Sequence, residues 1–142
     1  MVKFTRPGFH KRSLAALASF IGISSASMVS NSSANNPIPL ILDTDIGDDI
    51  DDTWALLMLL RSKAIDTKLI TTDFGNTRYR TRLLAKTLHS IGYGTIPVGI
   101  GLDATDKVGN QSEWLGDYQL DEYPGQIYED GIQALIDTIK QS

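Results

Sequence analysis

The sequence predicts an α/β fold, an open and mostly parallel sheet with helices on both faces. Short β-rich apolar runs alternate with blocks of helical period from residue 38 onward. Such a strand-helix-strand-helix-strand order is met by right-handed crossovers that leave neighbouring strands parallel. With 142 residues and 42% apolar content, the chain can bury one core and make one ordinary domain.

Ile38-Pro39-Leu40-Ile41-Leu42 suits a buried first strand, and residues 53–62 suit a buried helix. Lys68-Leu69-Ile70-Thr71-Thr72 is a second β-rich run. A helix follows, capped by Asn76 or Thr77, with Leu83, Leu84, Leu88 and Ile91 on one side and Gly92 and Gly94 as its stop. Ile96-Pro97-Val98-Gly99-Ile100 is a third strand, its proline near the start where a missing N–H is tolerated. From Gly101 to Tyr128 periodicity disappears, which predicts a long functional or mobile loop. A last helix starts at Asp130, with Gln133 at capping-box spacing, and presents Ile132, Leu135, Ile136 and Ile139 to a sheet. Three strands leave part of that face bare at Ser142. The chain is therefore expected to be truncated after about three strands, as an N-terminal fragment, a shortened reading frame or a splice product.

Residues 1–34 read as a signal peptide and spacer, and residues 35–142 as the folded part. Lys3, Arg6, Lys11 and Arg12 precede the apolar stretch 14–23, small residues follow at 24–26 and 32–34, and no acid occurs. The apolar stretch is shorter than the ~20 residues a transmembrane helix needs, so no stable membrane span is expected. Secretion is preferred over a mitochondrial presequence because the apolar block is continuous rather than amphipathic. Asn31-Ser32-Ser33 and Asn110-Gln111-Ser112 fit the glycosylation acceptor pattern. Beyond the leader, 9 basic side chains face 17 acidic ones, a balance of −8 that argues against a nucleic-acid partner. Cysteine is absent, which excludes disulfides, thiolate metal sites and a cysteine nucleophile.

The chemistry is concentrated in Asp43-Thr44-Asp45-Ile46-Gly47-Asp48-Asp49-Ile50-Asp51-Asp52, six carboxylates between a strand and a helix. Two carboxylates about 4 Å apart repel by roughly 4 kcal/mol at an effective dielectric of ~20, so the run needs positive charge among it. A hard divalent cation with oxygen ligands would supply it. An EF-hand is excluded by Trp54, which stands twelfth from Asp43 where a bidentate Glu belongs. In an open parallel sheet, ligands bind beyond the carboxyl ends of the strands, where both this run and Gly75-Asn76 lie.

Leu42-Asp43-Thr44-Asp45-Ile46-Gly47, with Asp51-Asp52 opening an Ala/Leu-rich helix, resembles the N-terminal signature of the inosine–uridine-preferring nucleoside hydrolases. Residues 70–76 and 96–101 resemble that family's second and third strands. The resemblance implies a calcium-dependent nucleoside N-ribohydrolase, acting on a small-molecule nucleoside. By position, it implies Asp45 as calcium ligand and general base, Asp52 as calcium ligand, Asp51 and Asn76 on the ribose hydroxyls, and Asp43 as a support behind them. The commoner motif is two residues shorter here. Asp49 then competes with Asp51 for the ribose, and the pair directly before the helix is preferred. The family's later half, with further ion ligands, contacts to the ribose 5′-hydroxyl and an acid for the leaving base, has no counterpart here. Weak or no turnover of inosine or uridine is expected of this chain, and a homo-oligomer is an option in a full-length form.

Two other classes compete. Asp43-Thr44-Asp45 after an apolar strand also resembles an Asp-based phosphatase, although Ile46 stands where that motif has glycine. A non-catalytic calcium- or ribose-binding module is the third. His10 and His89 read as structural or solvated, Trp114, Tyr118 and Tyr123 as loop anchors ahead of base stacking, and Arg78, Arg80 and Arg82 as a solvated helix start.

Overall fold

The computed structural model describes residues 36–141, so the expected leader and spacer lie outside the described residues. β1 (Ile38–Thr44), β2 (Ile65–Thr72), β3 (Val98–Ile100) and β4 (Ile127–Tyr128) form one sheet in the order β1-β2-β3-β4. Every pairing is parallel. Four strands therefore stand where three were expected. β4 lies in the stretch assigned to a long loop; it is two residues long, and so short a strand leaves no period in the sequence. That stretch also holds α3 (Ser112–Leu115) and a 3-10 turn at Leu120–Glu122.

α1 (Asp51–Arg61) begins two residues before its apolar block, which places Asp51 and Asp52 in its first turn where the helix dipole favours anions. α2 (Thr77–Ser90) is capped by Asn76, whose side chain accepts from the Tyr79 N–H at 2.8 Å. Gly92, at φ 83°, ends the run in a left-handed conformation that costs glycine nothing. The inner face of α2 is as predicted at Leu83, Leu84 and Leu88, which pack with Leu56 and Ile70 in the core. Ile91, predicted to join them, is 40% exposed because it lies past the last turn.

Period two assigns the two faces of β2. Ile70 packs with α1 and α2, and Thr72 Oγ1 meets Thr81 Oγ1 at 2.7 Å. Thr71 points the other way, toward Gly131 at the start of α4 (Gly131–Lys140). Helices thus cover both faces, and α4 contacts β2 and β3. Its contact face differs from the predicted stripe. Gly131 and Ala134 are buried, while Ile132, Ile136 and Ile139 are exposed. Backbone packs on backbone there: a side-chain carbon added to Gly99 would lie 2.8 Å from the Gly131 Cα, so only small residues permit the approach. Asp130 caps α4 as expected, accepting from the Gln133 N–H at 2.9 Å, but the Gln133 side chain bonds Asp137 instead of closing the box. Among the described residues, no helix is long and apolar enough to cross a membrane.

Asp103, in the loop after β3, gives α2 a second cap. Its carboxylate accepts from the Thr77 N–H at 2.7 Å, the Thr77 hydroxyl at 2.6 Å and the Arg78 N–H at 3.2 Å. Asp103→Ala is expected to cost about 1 kcal/mol, the usual worth of a cap. The hydroxyl bond from Thr77 is the main cause holding this carboxyl below its ordinary 3.8. A lowered folded value means stability present above pH 3.8 and lost as pH falls through the folded pKa. Thermal melts of wild type and variant should differ fully at neutral pH and converge in strong acid. A difference independent of pH would show that the carboxylate charge is not what caps the helix.

Candidate functional site

The carboxyl ends of β1 and β2 are in register, with Asp43 opposite Thr71 and Thr44 opposite Thr72. Threonine hydroxyls on both strands hold the acids. Thr71 donates to Asp43 at 2.5 Å, and Thr44 donates to Asp52 at 2.6 Å while accepting from the Ile46 N–H at 3.2 Å. Asp52 thereby reaches from the first turn of α1 to the side chain of Asp45. Loss of water around the Asp45 carboxyl, and then the hydrogen bond and charge of Asp52, push its pKa up from the ordinary carboxylate value. Asp73, just past β2, is also pushed up, first by burial and then by the charge of Asp43. Four carboxylates thus influence one another at two adjacent strand ends.

Beside them, a cleft of about 280 Å³ is lined by Asp43, Thr71, Asp73, Phe74, Leu102 and Ile132, among others. A larger groove of about 560 Å³ lies over Trp54, Leu57, Met58, Ile91 and Tyr93 and has no carboxylate in its lining. The smaller cleft is the candidate site because Asp43 and Asp73, at the ends of β1 and β2, line it; Asp45 and Asp52 lie outside that lining, at the turn and helix start that follow β1.

The acidic turn is gripped from behind. Arg80 on α2 is 4% exposed; it donates to the carbonyls of Phe74 at 2.7 Å, Asp45, and Ile46 at 2.9 Å, and to Asp48 at 2.7 Å. Positive charge does sit among the six acids, and part of it is this guanidinium. The expectation of a solvated arginine series is corrected here. Arg78 does pair with Glu129 in solvent, but Arg82 donates to the Tyr118 carbonyl and Arg80 is buried. Helical spacing carried the signal, since Arg80 lies three and four residues before Leu83 and Leu84, on the face that packs inward.

The sheet brings together Asp43, Asp45 and Asp52. Asp51 is exposed beside them at the start of α1, and the Asp49 carbonyl is bound by the Gln111 side chain at 2.8 Å. Asn76 stands apart. It lines a separate groove with Arg78, Asp103 and Asp106, and its side-chain oxygen is engaged as the α2 cap. Thr44, Thr71 and Asp73 belong to the site and were not singled out from sequence, and Arg80 belongs to it although the sequence there reads as a solvated helix start. The aromatics anchor the loop: the Tyr123 hydroxyl donates to the Ile96 carbonyl at 2.6 Å, His89 meets the Tyr118 hydroxyl at 3.1 Å, and Lys86 covers the Trp114 ring.

A family model described as inosine-uridine preferring nucleoside hydrolase matches residues 40–142. The chain belongs to that family. No curated protein matches it significantly. The match takes in β1, the acidic turn and every later element of this nucleoside hydrolase domain.

Nucleoside hydrolases of this family are typically metal-dependent. Among the described residues, no three His, Cys, Asp or Glu side chains are placed to hold a metal ion. What the site offers is a pair, Asp45 and Asp52, with Asp43 and Asp73 within electrostatic reach. The donors are all hard oxygens, and the charge of Asp52, which adds to burial in raising Asp45, is offset by an added cation. In donor chemistry the residues fit a hard divalent ion.

Proposed function

We propose that this nucleoside hydrolase domain acts in the calcium-dependent cleavage of the N-glycosidic bond of ribonucleosides, giving free base and ribose. The observation that carries the reading is the Asp45–Asp52 pair at the end of β1, two hard-oxygen carboxylates set against each other with Thr44 holding Asp52 in place. Asp45 and Asp52 would hold the ion. When bound, calcium supplies an attacking water of lowered pKa at neutral pH. Asp45 removes a proton from that water at a carboxylate oxygen. The water oxygen would bond to the anomeric carbon as the carbon–nitrogen bond breaks, the electron pair leaving on the base nitrogen, which would take its proton from solvent. Asp51 binds the ribose hydroxyls; Asn76, the other ribose residue that the resemblance implies, lines a separate groove and caps α2 with its side-chain oxygen, so no ribose contact is assigned to it. Asp43 is fixed by Thr71 and adds negative charge on the cleft side, where an oxocarbenium-like transition state is favoured. The N-terminal basic-then-apolar segment supports secretion of the mature protein.

The test is in the products and in the ion. Turnover by this chain is expected to be weak or absent, and whatever nucleoside is cleaved in the presence of calcium should yield free base and ribose; release of inorganic phosphate from a phosphomonoester would favour the phosphatase chemistry instead. Calorimetric titration with calcium chloride should show binding that Asp52→Ala weakens by more than about 100-fold, since supporting groups alone are worth ~10–100-fold. Equal affinity in the variant would remove Asp52 from the ligand set.

A further inference from the structure

We propose that Arg80, assisted by Tyr79, is the positioning residue that presets the acidic turn for its cation. The inference rests on the metal-dependent nucleoside hydrolase reading above.

The grip is on backbone rather than on the ligand carboxylates. Arg80 donates to the carbonyls of Asp45 and Ile46, and on the other side to that of Phe74, so one planar fork ties the turn after β1 to the turn after β2. The neighbouring residue on α2 continues it: the Tyr79 hydroxyl donates to the Gly47 carbonyl at 2.9 Å, and that carbonyl also receives the Gln111 N–H at 3.0 Å. Gly47 sits at φ 125°, a backbone state that L side chains rarely adopt, and a side-chain carbon there would lie 2.8 Å from the Tyr79 ring. The turn is therefore molded onto α2 at three successive peptide units, 45, 46 and 47. These bonds set the torsions from which the Asp45 side chain departs. A turn ordered at the folding step spares the ion the work of ordering it, which raises affinity without a new contact to the ion.

Charge alone argues the opposite way. A guanidinium beside the acids repels an added cation, so if Arg80 acted only through its charge, its removal would tighten calcium binding. Arg80→Lys separates the two effects. Lysine keeps the positive charge but is a point donor that cannot hold three carbonyls and a carboxylate at once.

Calcium chloride is titrated calorimetrically into wild type, R80K and Y79F, well below each protein's melting transition, with circular dichroism as the fold control. Preorganisation predicts affinity about 10-fold weaker in R80K, the lower end of what supporting groups contribute. It predicts a loss of about 2–10-fold in Y79F, the worth of one hydrogen bond. A purely structural role would lower the melting temperature and leave the affinity of the folded protein unchanged. Unchanged or tighter binding by R80K overturns the proposal. Should R80K fail to fold, Y79F decides alone, and wild-type affinity there overturns it equally. Absence of calcium binding by the wild type would instead overturn the metal reading of the site.

Discussion

In a form of the protein with measurable turnover, Asp45→Asn should lower nucleoside hydrolysis by about 10²–10⁴, the usual contribution of a positioned general base. Asparagine keeps the shape of the side chain but cannot accept a proton at neutral pH. The structure sets a second expectation for the same variant. Asp45 is raised by burial and by Asp52, so removing its charge relieves repulsion at the β1 end, and the metal-free variant should melt no lower than wild type. Release of free base, followed by chromatography at saturating nucleoside and calcium, checks the first. Thermal denaturation in chelator checks the second. An activity loss accompanied by a large drop in melting temperature would mean that Asp45 supports the fold rather than the reaction.

Leu83→Ala should destabilise the domain by about 2–5 kcal/mol, the range for truncating a buried leucine and leaving a cavity. Leu83 is fully buried on α2, and one of its methyl groups lies under Gly47 in the acidic turn. The cavity would open below the turn that carries Asp45. Urea denaturation should show a lower midpoint with an unchanged slope. Ile91→Ala is the control: at 40% exposure beyond the end of the helix, it should cost under about 1 kcal/mol. Equal losses at the two positions would contradict the packing of α2 described here.

Most elements of the fold were legible because each carries a local signal. β1, β2 and the inner face of α2 follow from apolar runs and helical period, and both helix caps from side chains that compete for backbone N–H groups. β4 was not legible, because two residues hold too little pattern to distinguish a strand from a loop. The contact face of α4 was misassigned for a different reason. Periodicity finds the most apolar stripe, whereas the closest approach to β3 is decided by where the backbone has no side chain in the way, at Gly99 and Gly131. Within the site, Asp43, Asp45, Asp51 and Asp52 were visible from the run of acids. Asp73 and Arg80 were not, since each acts across the sheet on residues about 30 positions earlier.

The sequence by itself determined the α/β class, the order of its helices and long strands, the acidic turn at a strand end, and the family resemblance that the match to residues 40–142 bears out. These are properties of contiguous segments, and period, capping and motif spacing all act within a few turns of chain. Only the tertiary structure decided which carboxylates share a site and what holds them. Parallel register sets Asp43 beside Thr71, the first turn of α1 swings Asp52 onto Asp45, and α2 folds back to bury Arg80 against three carbonyls. Charge interaction and hydrogen bonding depend on distance in space. That distance is set by packing, which no local pattern of residues records.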